Sequence, residues 1–314
     1  MRIDAIDARD DEGHREAGAE GCIRQRAVHY PLGDDVRHQG YPDGKMPARL
    51  GGFILESPWK RQRRIGISGR MTLTDRVALI TGGKRIGQVV AHVLAESGVH
   101  IAVAYRGSKA EADETVAAVV ARGRQALAIA ADVSREADVR MLVQSTVDRF
   151  GRLDLLVNMA SVYKSRPFET TTGSEWDQDL NVNLKASFIA AQAAAPHLRK
   201  TGGRIVNFSD WLAASGRPAY RDFVAYYVAK AGVKALTEAL ALQLAPEILV
   251  NAIAPGPILP PPDLSEAELQ EVANATPVHR WGGAMEIAKA VLALAETDFI
   301  TGETIRVDGG RHVQ

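Results

Sequence analysis

Arg76-Val77-Ala78-Leu79-Ile80-Thr81-Gly82-Gly83-Lys84-Arg85-Ile86-Gly87 decides the fold. Arg76 to Ile80 is a short apolar run closed by a glycine-rich turn, the pattern of a buried strand. The spacing from Gln88 to Ser97 then predicts an amphipathic helix, and His100 to Tyr105 a second strand. Outward from this unit the alternation continues. Helix Glu111 to Arg122, strand Ala126 to Ala131, helix Glu136 to Phe150 and strand Leu153 to Asn158 come first. A long helix through Asn183 to Leu198, strand Arg204 to Phe208 and a helix from Phe223 to Leu244 follow. Strand Leu249 to Ala254, a Pro-rich loop, helix Met285 to Ala295 and strand Thr304 to Val307 complete the chain. Alternation over this length predicts an α/β fold: a doubly wound parallel sheet of about seven strands, helices on both faces, one domain. Ligands of such sheets bind beyond the carboxyl ends of the strands. Thr81, Asn158, Asp210 and Pro255 all fall there.

Composition narrows the function classes. Among 314 residues, 38 basic side chains balance 38 acidic ones, so there is no footprint for nucleic acid. No apolar run approaches the roughly eighteen residues of a membrane span. Cys22 is the only cysteine, which rules out an intrachain disulfide and suits a reducing, cytoplasmic location. The eight histidines lack metal-binding spacing, and no metal is expected. Residues 1–70 differ from the rest: rich in Arg, Asp, Gly and Pro, with few periodic apolar positions and the basic cluster Lys60 to Arg64. Their acids argue against a transit peptide, and they lack the apolar core of a secretory signal. The expectation is a disordered or spurious extension, with the domain spanning 71–314.

Tyr226 and Lys230 stand four apart on the predicted helix, one turn apart on one face, whereas Tyr227 points elsewhere. An ammonium beside a phenol favours the phenolate and should draw the Tyr pKa down from about 10. Such a phenol can give a proton to a carbonyl oxygen near neutral pH.

Taken in order, these pieces match a family. Residues 71–314 resemble the short-chain dehydrogenase/reductases in Thr81 to Gly87, Asp132-Val133, Asn158-Met159-Ala160-Ser161, Asn183, Tyr226-x-x-x-Lys230 and Pro255-Gly256. Thr301-Gly302-Glu303 and Asp308-Gly309-Gly310 fit as well. The resemblance implies a Rossmann-type sheet, a nicotinamide dinucleotide and a small-molecule substrate. Gly82 to Gly87 would bring backbone N–H groups of the turn to a pyrophosphate. This turn is one residue shorter than the family's T-G-x-x-x-G-x-G, with Arg85 where the middle glycine stands, as in the pteridine-reductase-like branch.

Strand His100 to Tyr105 leads into Arg106-Gly107-Ser108 without the acid that holds an NAD ribose. Arg106 and Ser108, helped by Lys84 or Arg85, could instead hold a 2′-phosphate, which favours NADPH over NADH. By resemblance, Ile86 joins this turn, Asp132 and Val133 flank the adenine, and Asn158 and Ala160 line the nicotinamide side with Pro255 and Gly256. Lys230 would also reach the nicotinamide ribose, beside Tyr226, and Asn183 would hold a water between Lys230 and solvent.

Where most of the family places a Ser after an I-V-N strand, this chain has Asp210, one position beyond Ser209. Pteridine reductases show an Asp in this slot, and a capping Asp beside Trp211 is the alternative. Ser161 and Tyr163 fall on the substrate side, Tyr163 where that branch stacks an aromatic on the pterin, and Trp211 would wall the pocket or pack under its loop.

The expected function is NADPH-dependent reduction of C=N or C=O in a small, pteridine-like substrate. The alternatives are a 3-oxoacyl-thioester or carbonyl reductase, or an idle dinucleotide-binding member. The resemblance also implies a homo-oligomer, tetramer or dimer, with the apolar run Ala186 to Ala195 suited to an interface or to the monomer's own core.

Overall fold

The computed structural model describes residues 72–262 and 264–313. The reading of residues 1–70 therefore lies outside the described residues.

The described residues build one seven-stranded sheet, all parallel, in the order β3-β2-β1-β4-β5-β6-β7. The strands are β1 (Val77–Thr81), β2 (His100–Tyr105), β3 (Ala126–Ala130), β4 (Leu155–Asn158), β5 (Arg204–Phe208), β6 (Leu249–Pro255) and β7 (Thr304–Val307). Every residue of β1, β4 and β5 is buried, so these strands read as continuous apolar runs rather than alternating ones. The two-residue period still sorts them between faces. Ala78 and Ile80 join one core with Val90 and Leu94 of α1 (Ile86–Glu96) and Ile287 and Val291 of α9 (Ala284–Glu296). Leu79, between them, joins the other with Leu142 of α3 (Glu136–Phe150) and Ala190 and Leu198 of α5 (Ala186–Thr201).

The chain runs from β1 outward to β3, then crosses back to start the other half at β4. The crevice between the carboxyl ends of β1 and β4 is therefore the topological switch point. Thr81 fastens its two lips. Its hydroxyl accepts from the N–H groups of Met159 at 3.1 Å and Ala160 at 3.3 Å.

Two elements depart from the sequence reading. The long helix through Asn183 is broken into α4 (Gly173–Leu180), a π turn over Asn181–Lys185, and α5. A π turn inserts a residue into the helical ladder, which periodicity alone does not reveal. A five-residue helix, α6 (Trp211–Ser215), follows β5 and is too short to show a period. The remaining helices are α2 (Lys109–Ala121), α7 (Val224–Leu244) and α8 (Glu266–Asn274).

Candidate active site

A cleft of about 790 Å³ opens along the switch point, within the usual range of ligand pockets. At one end the glycine turn closes so tightly that its glycines are obligatory. A Cβ on Gly87 would lie 1.8 Å from the Gly82 carbonyl oxygen, and Gly82 itself has φ +116°. Arg85 takes φ 55° with ψ −102°, a positive-φ conformation in which the family's middle glycine would be at ease. Holding a non-glycine residue there costs roughly 1–3 kcal/mol. The one-residue shortening is thus absorbed by the backbone of Arg85.

The cations at this end are not all free. Lys84 Nζ lies 2.7 Å from Glu111 Oε1, and Arg106 lies 3.7 Å from Asp132. Arg85 donates to the Pro260 carbonyl at 3.1 Å. Ser108 is the N-cap residue of α2 and lines the cleft. Glu111 is one residue that sequence reasoning missed. It lies in the first turn of α2, where an acid suits a helix N-terminus, and Lys84 holds its carboxyl below the usual range. Asp132 binds the Ser134 hydroxyl at 2.7 Å and amide at 3.0 Å, and that hydroxyl is the main cause of its lowered pKa. Ile86, Asp132, Val133, Ala160, Pro255 and Gly256 all line the cleft. Gly256 has no room for a side chain, since a Cβ would meet Asp308 Cβ at 2.5 Å. The bare turn, the α1 N-terminus and the cluster of cations fit a phosphate-bearing dinucleotide.

Asn158 is a correction. Its side chain turns into the sheet, is buried, and donates to Asn207 Oδ1 at 3.0 Å. It braces β4 against β5 rather than lining the nicotinamide side. Asn183 is not the solvent-exposed helix residue of its alternative reading. It is buried, accepts from Ser161 Oγ at 2.7 Å and Val162 N–H at 3.1 Å, and donates to the Val162 carbonyl at 3.0 Å. Its amide clamps the loop carrying Ser161 and Tyr163, and the π turn places it there.

At the other end the chain gathers Asp210, Tyr226 and Lys230. The Tyr226 hydroxyl donates to Asp210 Oδ2 at 3.2 Å, while Asp210 Oδ1 accepts from the Leu212 N–H at 2.8 Å. Asp210 is thus the cap of α6, as its alternative reading has it, and also a partner of Tyr226. Ser209 points the other way, as strand alternation requires, and its hydroxyl donates to the Lys230 carbonyl at 2.9 Å. Lys230 is buried beneath the Tyr226 ring, Nζ 5.7 Å from its centroid, and donates to the Phe208 carbonyl at 2.8 Å.

Burial sets the protonation states here. It pushes Lys230 down to about 8, partly opposed by the Asp210 charge. It raises Asp210, opposed by the Leu212 N–H bond and by Lys230. Tyr226 rises well above its ordinary value through burial and then the Asp210 charge. The lowering expected from Lys230 does not prevail: burial and the Asp210 charge dominate, and the ammonium bonds the Phe208 carbonyl rather than the phenol oxygen.

Tyr163 stacks on Phe223, centroids 4.4 Å apart at 14°, and meets Tyr226 edge-on at 4.8 Å. Burial pushes its phenol up to about 12. Phe223 was legible as an i, i+3 neighbour of Tyr226 but went unnoticed. Trp211 lines the cleft with the Arg311 guanidinium over its ring at 5.6 Å.

A family model described as enoyl-(acyl carrier protein) reductase matches residues 82–312. The chain belongs to the short-chain dehydrogenase/reductase family. The 3-oxoacyl-(acyl-carrier-protein) reductase of Staphylococcus aureus is 39% identical over 245 residues, 75% of this chain and 98% of that protein. A short-chain dehydrogenase of Burkholderia cenocepacia, solved in complex with NADP, has TM-score 0.72 and 34% identity over 76% of this chain and 99% of its own. The short-chain dehydrogenase/reductase of Serratia marcescens has TM-score 0.72 and 33% identity over 77% of this chain and 99% of its own. The chain is thus an NAD(P)H-dependent oxidoreductase with the Rossmann-type fold of its family. None of these relatives carries a pteridine name. Among the described residues, no helix is long and apolar enough to cross a membrane, and no cluster could hold a metal ion.

Proposed function

We propose that this chain is an NADPH-dependent carbonyl reductase whose substrates are ketones of the 3-oxoacyl type. The observation that carries the proposal is the Tyr226–Asp210 contact above buried Lys230, in the same cleft as the glycine turn. NADPH, when bound, supplies hydride to the carbonyl carbon. Tyr226 supplies the other half of the reduction: its O–H bond breaks as a new O–H bond forms on the substrate oxygen. Asp210 accepts from the Tyr226 hydroxyl before the transfer and orients it, and the phenolate regains its proton from water afterwards. Lys230, while protonated, stabilises the transient phenolate and so favours the transfer.

Lys84, Arg85, Arg106 and Ser108 would hold the 2′-phosphate that distinguishes NADPH, with Glu111 competing for Lys84. Asn183 and Asn158 act from outside the reacting atoms, one by clamping the 161–163 loop and the other by bracing the strand ends.

Ketones are favoured over a pteridine by two observations. The curated relative above is named for 3-oxoacyl reduction, and one face of Tyr163 is already covered by Phe223, which leaves less aromatic surface for a flat ring. Assembly as a dimer or tetramer belongs to the proposal as well. Most of the apolar run on α5 packs into the chain's own core, but Phe188, Val228 and Leu242 stay exposed on α5 and α7. The test follows NADPH absorbance with a neutral 3-oxoacyl thioester and a dihydropteridine. Turnover of the thioester is expected, and turnover of the pteridine alone would reverse the choice.

A further inference from the structure

Four basic side chains line the cleft: Lys84, Arg85, Arg106 and Arg311. Three of them cluster at the glycine-turn end, where the dinucleotide phosphates belong. Arg311 is separate. It follows Asp308-Gly309-Gly310 after β7, opens the short turn Arg311–Val313, and lays its guanidinium over Trp211, the residue after Asp210. Its Nη1 donates to the Val272 carbonyl at 3.1 Å, which ties the guanidinium to α8. That bond leaves the Nε–Nη2 edge without an acceptor among the described residues, and no described carboxylate comes within ion-pair distance. Asp308, its nearest acid in sequence, is engaged by His312 at 2.7 Å. Asp210, the acid on the same wall, is engaged by Leu212 and Tyr226.

A guanidinium beside an aromatic ring, held by one hydrogen bond and with its two-donor edge free, can take a carboxylate in two parallel hydrogen bonds. We propose that Arg311 anchors a carboxylate carried by the substrate, so that the ketones reduced here are oxo acids. The inference rests on the carbonyl-reductase reading of the same site and adds the substrate's charge to it. Lysine in this place would keep the charge and lose the fork and the flat stacking surface.

The test uses the full chain with NADPH and a series of oxo acids of increasing length, each paired with its uncharged methyl ester. For at least one length the acid should exceed its ester in kcat/KM by about 10- to 100-fold. Arg311→Met should collapse that acid-to-ester ratio by roughly tenfold or more, and Arg311→Lys should leave it in between. The ratio is the readout because loosening Trp211 would slow acid and ester alike. No acid preference at any length, or an unchanged ratio in Arg311→Met, overturns the proposal. If the natural chain reduces neither acids nor esters, the carbonyl-reductase reading fails instead. Calorimetric titration with saturated carboxylic acids, which have no carbonyl to reduce, then decides the anchor alone. A tenfold weaker Kd in Arg311→Met supports it, and equal Kd values reject it.

Discussion

At the glycine turn the cleft is shaped by side chains that are missing, whereas at the Asp210–Tyr226–Lys230 end it is shaped by charged ones buried out of water. The first end works by backbone fit: a Cβ on Gly87 has nowhere to go, and Arg85 accepts a positive-φ conformation to keep the turn closed. Its charged groups stay near solvent, and their ion pairs, Lys84–Glu111 and Arg106–Asp132, can exchange for a ligand's phosphate at little cost. The second end works by desolvation. Burial is the leading cause of every shift there, lowering Lys230 and raising Asp210 and Tyr226. Binding is thus assigned to geometry that tolerates no added atom, and proton transfer to groups whose environment tolerates no lost partner.

The largest break in this comparison should come from Lys230→Met. Removing the buried ammonium leaves the turn intact, so kcat should fall about 1,000-fold while the Kd for NADPH moves far less. Steady-state kinetics beside a fluorescence titration of NADPH would show the split. Gly87→Ala should do the reverse. The new methyl meets backbone, not a flexible side chain, so the turn must open. NADPH affinity should drop roughly 100-fold through lost hydrogen bonds to the phosphates, whereas Gly107→Ala, which meets nothing within 4 Å, should bind normally.

Asp210→Asn sharpens the second half. Asn can keep the Leu212 cap but removes the charge that raises both Lys230 and Tyr226. The expected loss is about 10- to 30-fold in kcat. In the natural chain the rate should bend downward above about pH 8, where Lys230 loses its proton. In Asp210→Asn that bend should move to lower pH, because the charge that held the proton on Lys230 is gone.

The smallest effect concerns stability. The folded pKa of Lys230, about 8, lies below its ordinary 10.5, so the unfolded chain keeps that proton to higher pH. Stability from this group is therefore withheld below pH 8 and regained as pH rises toward 10.5. The Tm advantage of Lys230→Met over the natural chain should shrink by roughly 5–10 °C between neutral pH and pH 10.

Most of the sheet was legible because its strands are apolar runs punctuated by glycine and separated by periodic helices. Strands β2, β5 and β7 and helix α3 begin and end where the pattern places them. The π turn and α6 were not legible, since one hides inside a helix and the other is shorter than two turns. Within the site, the Tyr226–Lys230 spacing and the facing of Asp210 could be read from one-turn and two-residue periods. What spacing could not supply was direction. Asn158 looked like a cleft residue because it ends a strand, but its side chain is spent on Asn207 of the neighbouring strand. Lys230 looked like the group that lowers the Tyr226 pKa, but a carbonyl claims its ammonium. Glu111 and Arg311 were missed because each meets its partner only through the fold, one from α2 onto the β1–α1 turn and the other from the turn after β7 onto Trp211.

The most direct test of the central claim is the rate of NADPH oxidation with a neutral 3-oxoacyl thioester, in the natural chain and in Tyr226→Phe, with NADPH binding titrated on the same samples. The proton-donor assignment predicts that the variant binds NADPH within a few-fold of normal and oxidises it at least ~1,000-fold more slowly. A variant that keeps the full rate would contradict it.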